Sequence, residues 1–123
     1  MDINQIIAVA KRKRRLMFEK GEHQTLVHLV YPMPGISEDA NTLSVSTTNG
    51  QWVAGCNLFT KSGYLFIPEG GFEMDRVFGE RHLAVYDLIK RIWGVISNFD
   101  PEDQVFAKNF FDKAFDAVNP TLF

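Results

Sequence analysis

The chain has 123 residues, of which 46% are hydrophobic and 23% charged, with a formal net charge of -2. That length suits one domain spanning 1-123, and that balance excludes a disordered or low-complexity chain. No apolar run approaches the roughly 20 residues a bilayer helix needs, so neither a transmembrane helix nor a membrane partner is expected.

The small net charge hides a split. Residues 1-20 carry six Lys/Arg and two Asp/Glu, whereas the rest of the chain carries seven and thirteen. Such a dipolar molecule can steer association with a charged partner. The apolar stretch Ile6 to Ala10 precedes the cations instead of following them, the reverse of a secretory leader. A single cysteine, Cys56, cannot close an internal disulfide. Together these features place the expected location in the cytoplasm.

Residues 3-20 read as a helix. Ile3, Ile6, Ile7, Ala10, Met17 and Phe18 recur at spacings of three, four or seven, and Gly21 offers a left-handed stop after Lys20. Residues 25-31 read as a strand, and apolar side chains of both parities suggest a central or doubly covered one. Pro32-Met33-Pro34-Gly35 ends it, and Ile36 to Asn41 reads as a loop. Thr42 to Thr48 and Gln51 to Phe59 flank Asn49-Gly50, the preferred two-residue hairpin turn. That turn predicts Thr47 opposite Trp52, Val45 opposite Ala54 and Leu43 opposite Cys56 on one face, with Ser44, Ser46, Val53 and Asn57 on the other. A further turn near Lys61-Ser62 leads to Tyr64 to Ile67. With Phe59 opposite Tyr64, the residues Leu58, Leu65 and Ile67 join the Trp52 face, and Phe59, Tyr64 and Phe66 join the reverse face.

Pro68-Glu69-Gly70-Gly71 breaks the sheet. A helix with a wide apolar arc, including His82, Val85, Ile89 and Trp93, falls between Asp75 and Ser97. Asp100 as N-cap and Pro101 at the first position start a last helix running to about Val118, which Asn119-Pro120 stops. One helix, four strands and two helices in that order give an α+β fold. The expected form is an antiparallel meander whose two C-terminal helices pack on the Trp52 face.

Two surfaces stand out as candidate sites. The first is the basic run Lys11 to Arg15. At about 100° per residue five consecutive side chains cannot share one helix face. Lys11, Arg12 and Arg15 point outward together, and Lys13 or Arg14 lies nearer the apolar stripe. The second is the reverse-face group Phe59, Tyr64 and Phe66, which either packs under the Ile3, Ile7, Ala10 and Met17 stripe of the first helix or serves a partner.

Other chemistry is thin. His23, His28 and His82 are not spaced as a helical metal pair, and no cysteine cluster accompanies them. Cys56 reads as an inert buried thiol. The acidic segment Glu69 to Asp75 matches no calcium loop. There is no phosphate-binding loop, dinucleotide fingerprint, nucleophile elbow or zinc-protease helix motif. No catalytic residue, metal ligand or cofactor is assigned, and an enzyme is not expected.

The reading is a small interaction protein of the inhibitor, immunity, adaptor or phage anti-defence type. It binds a protein partner with an acidic surface through Lys11, Arg12, Arg15, Phe59, Tyr64 and Phe66, and a homodimer is a further option. One alternative is a nucleic-acid binder using the basic helix. Another is a small-ligand binder or enzyme built around His82, Tyr86 and the 69-75 loop.

Overall fold

The computed structural model describes residues 2-32 and 41-119. In chain order it contains α1 (Ile3–Glu19), β1 (Glu22–Leu29), β2 (Asn41–Thr48), β3 (Gln51–Phe59), β4 (Tyr64–Ile67), α2 (Arg81–Ile96) and α3 (Pro101–Val118). The strands form one antiparallel sheet in the order β1-β2-β3-β4. The fold is therefore the expected α+β meander, helix first and two helices last. None of the helices among the described residues is long and apolar enough to cross a membrane.

The Asn-Gly turn sets the register. Asn49 and Gly50 adopt φ of 51° and 75°, the left-handed pair that a two-residue hairpin needs. Thr47 then pairs with Trp52, Val45 with Ala54 and Leu43 with Cys56. Beyond the next turn Phe59 pairs with Tyr64, Leu58 with Leu65 and Cys56 with Ile67. Strict alternation sends Leu43, Val45, Ala54, Cys56, Leu58 and Ile67 to the face we call the front, and all are buried. α2 and α3 cover that face with Val85, Leu88, Ile92, Phe106 and Phe110, and the result is one continuous core.

β1 departs from expectation. It spans residues 22-29 rather than 25-31 and is an edge strand, not a central one. The register slips between Thr25 and Val27, so Leu26 is an extra residue in a bulge. The bulge brings both Leu26 and Val27 to the front core, which is why the run reads as apolar on two faces. The Ile36 to Asn41 loop lies outside the described residues except for Asn41, which is the buried first residue of β2. Asn41 accepts the Phe59 N–H and donates to the Phe59 carbonyl.

Local signals at helix ends also resolve differently. α1 starts with a capping box, in which Asp2 accepts the Gln5 N–H and the Gln5 side chain accepts the Asp2 N–H, each at 2.9 Å. Gly21 is not left-handed. It is required because a Cβ there would lie 2.1 Å from the Thr47 carbonyl oxygen, where the chain crosses β2. Asp100 is the N-cap of α3, yet its side chain makes no capping bond. α2 begins only at Arg81, because Phe78 exchanges both backbone hydrogen bonds with Trp52 at 2.7 and 3.0 Å and holds the preceding segment extended.

The reverse face is built differently from the front. After β4 the chain turns at Pro68 and passes directly over Gly55, where a Cβ would lie 2.6 Å from the Glu69 nitrogen. Gly70 donates to the Ala54 carbonyl at 3.3 Å, and Met74 then packs against Val53. α1 touches this segment at its C-terminal end through Phe18, so Phe18, Val53 and Met74 form a second, small cluster. The expectation that the Ile3, Ile7, Ala10 and Met17 stripe completes a core on this face is overturned, because all four are exposed. Residues 68-77 already occupy the space over Val53, and α1 meets them with its cations.

Candidate interaction surface

The basic run and the acidic segment are parts of one clamp. Lys11 forms an ion pair with Glu73. Arg14 donates from Nη1 to the Met74 carbonyl at 3.0 Å, and Arg15 from Nη2 to the Phe72 carbonyl at 3.3 Å. These three side chains and Phe18 lie within one arc of the helix and fix α1 over residues 72-74. The expectation that Lys11, Arg12 and Arg15 point outward together is overturned for Lys11 and Arg15, which turn with Arg14 toward residues 72-74. Of the six expected partner-binding residues, Lys11 and Arg15 are engaged inside the chain. Arg12 is exposed and forms no ion pair or hydrogen bond among the described residues.

Of the aromatic group, Tyr64 and Phe66 are uncovered and Phe59 is half-buried. Phe59 and Tyr64 stack with centroids 4.4 Å apart, and the Tyr64 hydroxyl donates to Asn57 Oδ1 at 2.9 Å. Phe66 meets Phe72 edge-on at 6.1 Å. Tyr64, Phe66 and Phe72 are 55%, 44% and 65% exposed. Sequence patterning missed Phe72, since it belongs to no strand or helix. Gly70 and Gly71 precede it at φ of 84° and 78°, and that left-handed turn carries Phe72 back beside Phe66.

A cleft of about 430 Å³ adjoins the patch, running from Phe66 past Ser44 and Glu69 to His23. His23 Nδ1 lies 3.0 Å from Ser46 Oγ and 3.1 Å from Glu69 Oε1, and Ser44 Oγ donates to the same Glu69 oxygen at 3.4 Å. Strand register brings the four together, because His23 pairs with Ser46, and Ser44 and Ser46 share a face. The composition resembles a nucleophile relay, but the geometry does not make one. A relay needs serine and carboxylate on opposite imidazole nitrogens, and here both sit on Nδ1. The cluster pins the edge strand to the 68-77 segment.

The ligand-binder or enzyme option around His82, Tyr86 and the 69-75 loop has a cavity of about 490 Å³ beside it, lined by Phe78, Tyr86, Asp87 and Phe115. His82 Nε2 lies 3.1 Å from Glu80 Oε2, and its ring meets Tyr86 at 5.6 Å on the front-face helix α2. The 69-75 segment approaches α2 one turn further on, where Gly71 lies beside the Arg91 guanidinium and Arg76 pairs with Asp87 at 3.3 Å, and among the described residues no hydrogen bond or ion pair joins it to His82 or Tyr86. Among the described residues no three His, Cys, Asp or Glu side chains converge to hold a metal. Burial pushes the Cys56 thiol up to about 12, which leaves it no thiolate for nucleophilic work near neutral pH.

One buried charge escaped the sequence reading. Asp103 reads as a favourable charge at the start of α3, yet it is fully buried. It accepts the Tyr31 hydroxyl at 2.5 Å, the Ser62 N–H at 2.9 Å and the Ser62 hydroxyl. Burial works to raise its proton affinity, but the bonds from Ser62 and Tyr31 outweigh it and hold the carboxyl below its usual range. Burial and the Asp103 carboxylate push the Tyr31 hydroxyl up to about 12. This network ties the end of β1, the β3–β4 turn and α3 together at the front, so its role is structural.

Comparisons with protein-family models, with curated proteins and with solved structures find no match.

Proposed function

We propose that the protein is a non-enzymatic interaction module that binds a protein partner through the reverse face at the β4 edge. The observation that carries this reading is the contiguous patch of Tyr64, Phe66 and Phe72, left largely in water beside a polar cleft. Isolated exposed apolar residues are ordinary, but adjoining exposed aromatics are the composition of binding hot spots. β4 adds an unpaired strand edge of four residues along the same border. Arg12 and Lys13, exposed on α1, supply cations for an acidic rim on the partner.

The test is recovery of a stoichiometric protein partner from the cells of origin, followed by affinity measurement with point variants. Tyr64→Ala and Phe72→Ala are each expected to weaken binding by roughly tenfold or more, as hot-spot truncations do. A partner whose affinity ignores both substitutions would overturn the reading. The nucleic-acid alternative has less support, since Lys11, Arg14 and Arg15 are turned to residues 72-74. It predicts binding to duplex or single strands at about 50 mM salt, where backbone contacts are strong.

A further inference from the structure

The ladder fixes which backbone groups of β4 are used and which are free. In an antiparallel pair, alternate residues exchange both hydrogen bonds with the neighbour, and the residues between them point both groups the other way. Thr60 and Gly63 exchange bonds across the β3–β4 turn at 2.9 and 3.3 Å, which sets the alternation. Leu65 therefore bonds to Leu58 and Ile67 to Cys56. The N–H and C=O groups of Tyr64 and Phe66 point out of the sheet, and among the described residues no hydrogen bond reaches them.

This opening is confined to β4. Beyond the end of β4 the chain satisfies the same edge of β3 itself, with Gly70 donating to Ala54 and Phe78 exchanging both bonds with Trp52. The opposite edge of the sheet is guarded. β1 carries Glu22 and His23 and the bulge at Leu26, and charge and bulges both discourage a further strand. β4 holds Tyr64, Leu65, Phe66 and Ile67, with neither a charge nor a bulge.

We propose that the protein partner docks by strand addition, with an extended segment of the partner pairing along β4 and taking these four backbone groups. The inference rests on the reading of the β4 border as the partner-binding surface and names what the partner presents there. Donors and acceptors repeating every second residue are complementary to another extended backbone. A helix spends its own backbone groups internally and would leave all four unmet. The side chains define the segment further. Tyr64 and Phe66 project to the reverse face, where Phe72 adjoins Phe66, so two partner residues spaced two apart on that side are apolar. The partner residue between them turns to the front beside half-buried Leu65. β4 is four residues long and Pro68 follows it without an N–H, so the added strand is short, about four or five residues.

Amide hydrogen exchange on the full chain reads this mode residue by residue. The probe is a linear peptide of about ten residues, selected on the immobilised chain from a random display library. Selected peptides are expected to share an apolar–any–apolar pattern. In the free chain the Tyr64 and Phe66 amides are expected to exchange fast and those of Leu65 and Ile67 slowly. Bound peptide is expected to slow Tyr64 and Phe66 at least about tenfold. Phe66→Pro removes an outward N–H that no ladder bond uses. It is expected to weaken the peptide about fivefold beyond Phe66→Ala, which removes the ring alone. Slow exchange in β2 and β3 checks that both variants are folded. Failure to select any linear peptide overturns the proposal, and so do equal affinities of the two Phe66 variants. Amides that stay fast while Tyr64→Ala and Phe72→Ala lose affinity would overturn strand addition and keep the aromatic patch as the binding surface. Slowed amides with affinity indifferent to both substitutions would do the reverse. Protection that is present in the free chain and grows with its concentration would assign the edge to a second copy and overturn the proposal.

Discussion

The two faces of this sheet come from the same alternating strands but are closed by different physics. On the front, α2 and α3 lay continuous apolar arcs over Leu43, Val45, Cys56 and Leu58, and the core closes by apolar contact with a single carboxylate among the described residues, Asp103, buried at its edge. On the reverse, a small cluster of Phe18, Val53 and Met74 holds α1, and around it the contacts are polar: Lys11 to Glu73, Arg14 to Met74, His23 to Glu69. Apolar burial scales with area and resists salt, whereas exposed ion pairs contribute little and are screened. The front is therefore the stable scaffold, and the reverse face is where α1 opens most readily and where aromatic side chains remain available to a partner.

The largest expected effect tests that division directly. Phe110 is fully buried in the front core, so Phe110→Ala is expected to cost about 3–5 kcal/mol of global stability in urea unfolding. Phe18 is the matching aromatic anchor of the reverse cluster. Phe18→Ala is expected to release α1 while leaving the front intact. Amide exchange would quicken through residues 3-19 and stay slow in β2, β3 and α3. Loss of protection throughout the sheet in Phe18→Ala would show that the two faces are one cooperative unit.

The next effect comes from Asp103, the one fully buried acid among the described residues. Asp103→Asn keeps the shape but removes the charge that holds the Ser62 and Tyr31 donors, with an expected cost of about 2–3 kcal/mol at neutral pH. The sign with pH follows from the direction of the shift. A carboxyl held below its unfolded range binds protons less readily when folded, so its contribution is complete above about pH 4 and is lost as pH falls through the folded value. Acid titrations of urea midpoints should therefore converge for wild type and Asp103→Asn at the lowest pH. Parallel curves would place the acid sensitivity elsewhere.

Much of the front face was legible in the sequence. Asn49-Gly50 fixed the register of β2 and β3, and that register with the Phe spacing of α3 identified the core face, because alternation and helical period are local rules. The reverse face was not. Which surface of α1 turns inward depends on Glu73 and Met74, some sixty residues away, and no periodicity in residues 3-20 encodes that choice. The apolar stripe suggested that Ile3, Ile7 and Met17 dock, yet the cations dock instead because an acceptor-rich turn already fills the space. Asp103 does sit in the first turn of α3, but its burial is not legible for the same reason: its donors, Tyr31 and Ser62, lie on other elements. Phe72 and the His23–Ser46–Glu69 cluster likewise exist only through tertiary placement.

The smallest predicted effect is the most specific to the contrast between the faces. Lys11 and Glu73 form the one ion pair between α1 and the 68-77 segment among the described residues, and their side chains are 41% and 69% exposed. A pair so accessible to water is worth about 0.5 kcal/mol or less in a double-mutant cycle with Lys11→Ala and Glu73→Ala. That coupling should shrink further as salt shortens the screening length. Local exchange of α1 amides is the better reading, since a small term that is invisible against global unfolding is a large fraction of a weak docking equilibrium. A coupling above about 2 kcal/mol would exceed what exposed pairs supply. It would mean that water is excluded from the clamp and that the reverse face is closed more like the front.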